Sequence, residues 1–143
     1  MTILSTYSSH SEKETKEIAK EFIKTVLPTK VLCLSGSLGS GKTIFAKGIA
    51  EALNIEEAIV SPTFTLIQEY NGIVDFYHLD LYRLSDQDEF ETLGGEELLY
   101  REGITLIEWG EKINELLPPE TIFITISIEN DSTRTIVIKG KSL

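Results

Sequence analysis

One stretch of the chain has the composition and spacing of a phosphate-binding loop. It reads Gly36-Ser37-Leu38-Gly39-Ser40-Gly41-Lys42-Thr43 and matches the pattern G-x-x-x-x-G-K-[ST] in full. The glycines let consecutive backbone N–H groups face one phosphate group, and the N-terminus of a following helix adds to the attraction. Lys42 would then contact the β- and γ-phosphates, and the Thr43 hydroxyl would bind Mg²⁺. The motif therefore predicts that the chain binds a nucleoside triphosphate.

The loop by itself does not identify the reaction, because kinases, switch GTPases and ATPases all use it. The sequence contains no Asn-Lys-x-Asp motif for reading guanine, which argues against a GTPase. Between Lys47 and Arg101 its only basic residue is Arg83, so the arginine-rich lid common in small kinases is missing. A small-molecule kinase is therefore disfavoured but stays an alternative. A nucleotide-dependent binding module, whose hydrolysis is incidental, is a second one.

Two carboxylates stand at the ends of predicted strands, at the edge of an α/β sheet where ligands bind. The segment from Ile104 to Glu108 has the form of a Walker B strand with Glu in place of the usual Asp, and Glu108 can hold Mg²⁺ directly or through water. Asp80 follows the apolar segment Ile73–Leu79 and can orient or deprotonate an attacking water. Either acid can instead be an exposed strand-end carboxylate or a helix cap. The sequence leaves open which of the two activates water.

Several other reactive side chains have no decided role at this stage. The hydroxyls of the loop Ser61-Pro62-Thr63-Phe64-Thr65 can contact a γ-phosphate or its Mg²⁺, as in switch loops, or can serve turn and strand formation alone. Arg83 can stabilise transferred charge, although pairing with a nearby carboxylate is the more common role. Cys33 is expected to be an inert buried thiol, and neither His10 nor His78 has the spacing of a metal ligand.

The elements that must position these residues follow from hydrophobic periodicity. A first helix is predicted from Ser11, which forms a capping box with Glu14, and a second over Thr43–Leu53. The predicted strands are Val31–Leu34, Phe64–Tyr70, Ile73–Leu79, Ile104–Ile107, Ile122–Ile128 and Thr135–Ile138, with turns at Asn71-Gly72 and Asn130-Asp131. The acidic stretch 86–99 is expected to form one or two short helices broken at Gly94-Gly95. Together these elements predict an α/β core that ends in an antiparallel hairpin.

Composition restricts the class of protein further. The chain has 143 residues, of which 41% are hydrophobic and one is a cysteine, and no apolar run approaches the roughly 20 residues of a membrane span. We therefore expect one cytosolic domain over residues 1–143, without disulfides or membrane contact. The net charge of −10 is concentrated in residues 51–120, which carry 17 acidic and 3 basic residues. Such a charge argues against a protein that coats nucleic acid, because phosphate contacts require a basic surface.

Four segments occur here in an order that resembles the TsaE (YjeE) family, bacterial ATPases of tRNA threonylcarbamoyladenosine biosynthesis. They are Gly36–Thr43, Val60–Leu66, His78–Leu84 and Ile107–Trp109, within a resemblance from about Ser11 to Ile138. The resemblance implies an α/β fold of the P-loop NTPase type, a single domain with a central, largely parallel sheet flanked by helices and with antiparallel hairpins. It implies ATP and Mg²⁺ as ligands and a weak intrinsic ATPase. It also implies the TsaB and TsaD proteins as partners, with tRNA reached only through their complex.

The resemblance further implies roles for individual residues. The candidate catalytic residues are Lys42, Thr63, Asp80 and Glu108, and the candidate Mg²⁺ ligands are Thr43 and Glu108. The candidate nucleotide-binding residues are Ser11, Gly36, Leu38, Gly39, Ser40, Gly41, Lys42, Thr43 and Arg134, of which Ser11 and Arg134 would frame the adenine. In this interpretation the chain does not transfer the threonylcarbamoyl group itself. Its ATP cycle resets the TsaB–TsaD complex between turnovers.

Overall fold

A mixed β-sheet with helices on both faces organises the chain, in a computed structural model that describes residues 2–26, 28–60 and 66–140. The strands are β1 (Thr2–Ser9), β2 (Thr29–Gly36), β3 (Ile67–Tyr70), β4 (Phe76–Asp80), β5 (Gly103–Glu108), β6 (Ile122–Ile128) and β7 (Arg134–Gly140). The helices are α1 (Glu12–Ile23), α2 (Lys42–Ala52), α3 (Gln87–Thr92) and α4 (Gly95–Tyr100), and a 3₁₀ segment spans Gly110–Leu116. The strands are arranged in the order β1-β7-β6-β2-β5-β4-β3.

Four parallel strands form the centre of this sheet, and antiparallel strands extend it at both edges. β2 runs parallel to β5 and β6, and β5 runs parallel to β4. β3 pairs antiparallel with β4, β7 with β6, and β1 with β7. The predicted α/β fold with a central, largely parallel sheet is confirmed. As a result the carboxyl ends of β2, β5 and β4 lie side by side, and these strands lead into the glycine-rich loop, Glu108 and Asp80.

Alternating side chains give the central strands two buried faces. On one face Leu34 and Leu106 pack with Phe22 of α1 and Phe45 of α2. The other face is covered by α3, α4 and the 3₁₀ segment, in a second cluster that contains Val31, Cys33, Leu79, Phe90, Leu99, Ile107 and Ile113. Burial raises the pKa of Cys33 to about 12, and the charge of Glu111 adds to the shift, so the thiol stays protonated. The buried position predicted for Cys33 is confirmed.

Most predicted elements are present with shifts of a few residues at their ends. Ser11 caps α1 as predicted, because its hydroxyl accepts a hydrogen bond from the Glu14 N–H at 3.1 Å. The acidic stretch forms α3 and α4, which are separated at Gly94, a residue with φ of +76°. The turn between β6 and β7 is also confirmed, since Asn130 Oδ1 accepts from the N–H groups of Ser132 and Thr133.

One strand was not predicted, and one predicted turn was wrong. The strand is β1, an edge strand whose residues are largely exposed and which is held by its pairing with β7. The proposed tight turn at Asn71-Gly72 is instead a longer connection, and β4 begins at Phe76 rather than at Ile73. The reason is a tertiary contact: the Ile73 N–H donates to the Leu53 carbonyl at 2.8 Å, which holds the connection against the end of α2.

Within residues 2–26, 28–60 and 66–140, no helix has both the length and the apolar character needed to cross a bilayer.

Candidate functional site

The loop between β2 and α2 has a tightly curved backbone that depends on its glycines. Gly39 and Gly41 have φ values of +81° and +110°, in the left-handed region that favours glycine. At Gly36 a Cβ atom would lie 2.5 Å from Ser40 Oγ and 2.9 Å from the Ile126 carbonyl oxygen. Gly41 is the N-cap residue of α2 and has no side chain that could accept a hydrogen bond. The first N–H groups of α2, at the positive end of the helix dipole, are therefore not capped by a side chain. This geometry suits an anion.

A buried hydroxyl inside the same loop lacks a partner. Ser40 is 1% exposed, and its Oγ has no hydrogen-bond partner among the residues described by the structure. Leaving such a group unpaired costs about 1–3 kcal/mol, and the hydroxyl packs against Gly36 inside the loop. The curved backbone and the uncapped helix end fit a bound phosphate group.

The loop lysine is held by a buried carboxylate at the end of β5. Glu108 Oε1 lies 3.4 Å from Lys42 Nζ, and Glu108 Oε2 lies 2.9 Å from His78 Nε2. Burial raises the pKa of Glu108, but the hydrogen bond with His78 and the charge of Lys42 outweigh it and hold the pKa below its usual value. Glu108 is therefore ionised at neutral pH. An ionised carboxylate beside a phosphate-type loop fits a hard cation such as Mg²⁺.

Asp80 lies beside Glu108 on the neighbouring parallel strand. The register of β4 and β5 pairs these two residues, and Asp80 is 8% exposed. Its Oδ1 accepts a hydrogen bond from the Tyr82 N–H at 3.0 Å, which fixes one side of the carboxylate. By strand alternation both acids lie on the same face as Phe76 and Leu106, the face that α1 and α2 cover. The sheet thus brings both predicted acids to the loop side of the molecule.

A cavity of about 250 Å³ opens on the other side of the loop, between the start of α1 and the turn that joins β6 to β7. Its lining includes Ser11, Thr15, Gly39 and Arg134. The Arg134 guanidinium donates from Nη2 to the Gly39 carbonyl at 3.2 Å and from Nη1 to the Asn130 carbonyl at 2.8 Å. Ser11 and Arg134 are far apart in the sequence, and the fold places both at one cavity next to the loop.

A family model described as "Threonylcarbamoyl adenosine biosynthesis protein TsaE" matches residues 9–136 of the chain. The chain belongs to the TsaE family. The resemblance predicted from four short segments is therefore confirmed over nearly the whole sequence.

Relatives from two bacteria match most of the chain, and both are named tRNA threonylcarbamoyladenosine biosynthesis protein TsaE. The Bacillus subtilis relative is 46% identical over 125 residues, which are 87% of this chain and 78% of the relative. The Aquifex aeolicus relative is 36% identical over 144 residues, covering 99% of this chain and 100% of the relative. The crystal structure of Bacillus subtilis YdiB is similar in fold, with a TM-score of 0.81 at 35% identity over 99% of this chain and 89% of that one.

The structure brings most of the residues predicted for this TsaE-family site into two adjoining groups. The group at the strand ends and the start of α2 contains Gly36, Lys42, Thr43, Asp80 and Glu108, and the group at the cavity contains Ser11, Gly39, Ser40, Gly41 and Arg134. Leu38 is 98% exposed, so its side chain packs against nothing and only its backbone shapes the loop. Thr63 lies outside the described residues.

His78 was not predicted as a site residue, because its position in the sequence lacks the spacing of a metal ligand. It contacts Glu108 directly and is 1% exposed. The available signal was its position two residues before Asp80 on one strand, which puts both side chains on the same face. Thr15 was also missed, although it follows Ser11 by one helical turn and lines the same cavity.

Proposed function

We propose that this chain is a weak ATPase that supports threonylcarbamoyladenosine formation in tRNA by resetting a TsaB–TsaD complex between turnovers. The observation that supports this most directly is the meeting of a glycine-rich loop, Lys42 and two strand-end acids in one TsaE-family site. The names of its relatives support the pathway. The site geometry supports the use of a nucleoside triphosphate.

Binding of ATP would use the two adjoining groups for different ends of the nucleotide. The backbone N–H groups at the start of α2 and the Lys42 ammonium are the donors available to the phosphates. The cavity with Ser11 and Arg134 is the place for the adenosine end. Thr43 and Glu108 supply the oxygen atoms that would hold Mg²⁺, which would neutralise charge on the phosphates when bound.

Hydrolysis requires a group that orients the attacking water, and Asp80 and Glu108 differ in how well their contacts suit that role. Glu108 forms an ion pair with Lys42 of the loop, so its carboxylate is placed to bind the cation that would accompany the phosphates. Asp80 is anchored through one oxygen by the Tyr82 N–H and lies one strand further away. We therefore assign water orientation, or proton acceptance from water, to Asp80.

Action through partner proteins is supported by the distribution of charge. Residues 51–120 carry 17 acidic and 3 basic residues, which repel a polyanion such as tRNA. The chain by itself should not retain tRNA near physiological salt, whereas its binding to TsaB and TsaD should weaken as salt rises. Filter binding and titration against the two proteins would measure both, and tight tRNA binding by the chain alone would contradict indirect action.

The test of the proposal is complementation in a bacterium depleted of its own TsaE. Lys42→Ala should abolish ATP binding and leave tRNA without threonylcarbamoyladenosine, as measured by mass spectrometry of digested tRNA. Lys47→Ala is the matched control, since Lys47 is an exposed lysine of the same helix. If Lys42→Ala restored modification as well as Lys47→Ala while binding no ATP, the proposal would be wrong.

A second substitution separates the ATPase from a nucleotide-dependent binding module. Asp80→Ala should bind ATP, hydrolyse none, and fail to support more than one turnover of modification by purified TsaB and TsaD. If this variant sustained repeated turnover, nucleotide occupancy alone would be sufficient. Transfer of the γ-phosphate to an acceptor other than water would instead favour a kinase.

A further inference from the structure

His78 is a fully buried titratable side chain to which the proposed function assigns no part. It lies on β4 between Phe76 and Asp80, and its ring stacks on the Phe76 ring with centroids 6.1 Å apart and planes 17° apart. Its Nε2 lies 2.9 Å from Glu108 Oε2. The other ring nitrogen, Nδ1, is buried and has no hydrogen-bond partner among the described residues. The strand and the stacked ring fix the direction in which Nε2 points.

The chemistry of this contact assigns the donor. A carboxylate oxygen accepts hydrogen bonds, so in the 2.9 Å contact the His78 nitrogen Nε2 is the donor. Nδ1 has no partner among the described residues, so Glu108 is the contact that orients the ring through its nitrogen atoms. His78 is therefore a fixed N–H donor aimed at one oxygen of Glu108.

We propose that His78 is the positioning residue of Glu108, holding Oε2 so that Oε1 is the oxygen presented to the loop. This inference rests on the proposed function, in which Lys42 moves to the phosphates and Glu108 serves the cation. The two oxygens of the Glu108 carboxylate have different partners, because His78 contacts Oε2 and Lys42 contacts Oε1. When Lys42 leaves, Oε1 becomes available while Oε2 stays held, so the carboxylate does not need to reorient. Partners of this kind typically change metal affinity or activity by about 10- to 100-fold.

The competing explanation is that His78 only fills the core beside Phe76. Two variants separate the explanations, because both lose the stacked ring and only one keeps the donor. His78→Gln can place an amide N–H near the position of Nε2, and His78→Leu has an apolar side chain with no donor. A core-filling role predicts that both variants hydrolyse ATP and bind nucleotide equally well. It also predicts that the leucine variant is the more stable of the two, because leucine suits an apolar cluster.

The positioning role predicts a different pattern in ATP hydrolysis and in nucleotide binding. His78→Leu should lower kcat by about tenfold or more and weaken the Mg²⁺-dependent part of the affinity for a fluorescent ADP, with affinity in EDTA unchanged. His78→Gln should stay within about threefold of the unsubstituted chain in both measurements. In a Glu108→Gln background, the two His78 variants should no longer differ from each other. Equal losses in His78→Leu and His78→Gln, or no loss in either, would overturn the proposal.

A measurement on the unsubstituted chain keeps the proposal testable if the His78 variants do not fold. Side-chain ¹⁵N NMR of His78 should show a proton on Nε2, and Glu108→Ala should change the Nε2 signal. A proton on Nδ1 instead would overturn the proposal. If the chain hydrolysed no ATP at all, the proposed function would fail, but the tautomer and the Mg²⁺ dependence of ADP binding would still decide the role of His78.

Discussion

Gly48 of α2 is in close contact with α1, and its replacement by alanine should loosen both the fold and the nucleotide pocket. A Cβ atom there would lie 2.5 Å from the Lys16 carbonyl oxygen and 2.7 Å from Ala19 Cβ. α1 is capped by Ser11, and α2 begins at the end of the glycine-rich loop. Separating the helices would therefore move the two walls of the cavity apart.

The size of the effect follows from two opposing contributions. Alanine is favoured over glycine inside a helix by about 1 kcal/mol. Overpacking costs about 1–3 kcal/mol, and the upper part of that range applies because Lys16 presents backbone and Ala19 is 0% exposed, so neither can rotate away. We expect Gly48→Ala to lower the free energy of unfolding by a net amount of about 1–2 kcal/mol. For a chain of this length, Tm should fall by roughly 3–8 °C.

Urea denaturation and ATP titration would measure the two effects. The neighbouring exposed residue supplies the control, because the difference in unfolding free energy between Lys47→Ala and Lys47→Gly gives the intrinsic preference of α2 for alanine. Gly48→Ala should instead lower the free energy of unfolding, although the intrinsic preference for alanine would raise it. The variant should also bind ATP several-fold more weakly, an effect of about 1 kcal/mol in binding free energy. The reasoning would be refuted if Gly48→Ala gained stability by the same amount as Lys47→Ala gains over Lys47→Gly.

Three further results are expected. Cys33, whose pKa burial raises to about 12, should resist a disulfide reagent at pH 8 in the native chain and react after unfolding in urea; rapid native labelling would contradict its burial. Arg134→Ala removes the hydrogen bond to Gly39 and should weaken ATP binding about tenfold by calorimetry, and unchanged affinity would exclude the cavity as the adenosine site. The folded pKa of Glu108 is depressed, so the stabilisation from its ionised form is present above about pH 4.5 and is lost as the pH falls below it. The unfolding free energy of the unsubstituted chain relative to Glu108→Gln should therefore decrease on acidification, and an increase would contradict the depressed pKa.

The edge of the sheet that carries the candidate site could be predicted from the sequence because two independent signals coincide there. The glycine-rich motif requires a strand before it and a helix after it, which locates β2 and α2. Asp80 and Glu108 each end an apolar run, and parallel strands present their carboxyl ends at a common edge. No long-range information was needed to expect that these groups meet, since the rules of parallel sheets already bring them together.

The features that could not be predicted depend on contacts between distant parts of the chain. β1 lies at an exposed edge, where neither face supplies a regular apolar alternation, and it is specified by pairing with β7 at the other end of the sequence. The Asn71-Gly72 dipeptide is a strong local turn signal, but the backbone contact between Ile73 and Leu53 overrides it. His78 was missed for the same reason, because its partner Glu108 lies on another strand.

The contacts of Glu108 connect the two ligands of the proposed reaction. Without a nucleotide, Lys42 neutralises the carboxylate, and a cation at the same oxygen would meet a nearby ammonium group. A phosphate group at the loop would draw Lys42 away and leave Glu108 with its His78 partner and an uncompensated charge. The cost of a buried, unpaired carboxylate then favours a cation at that position. The site should therefore take up phosphate and cation together, because each removes the electrostatic obstacle to the other.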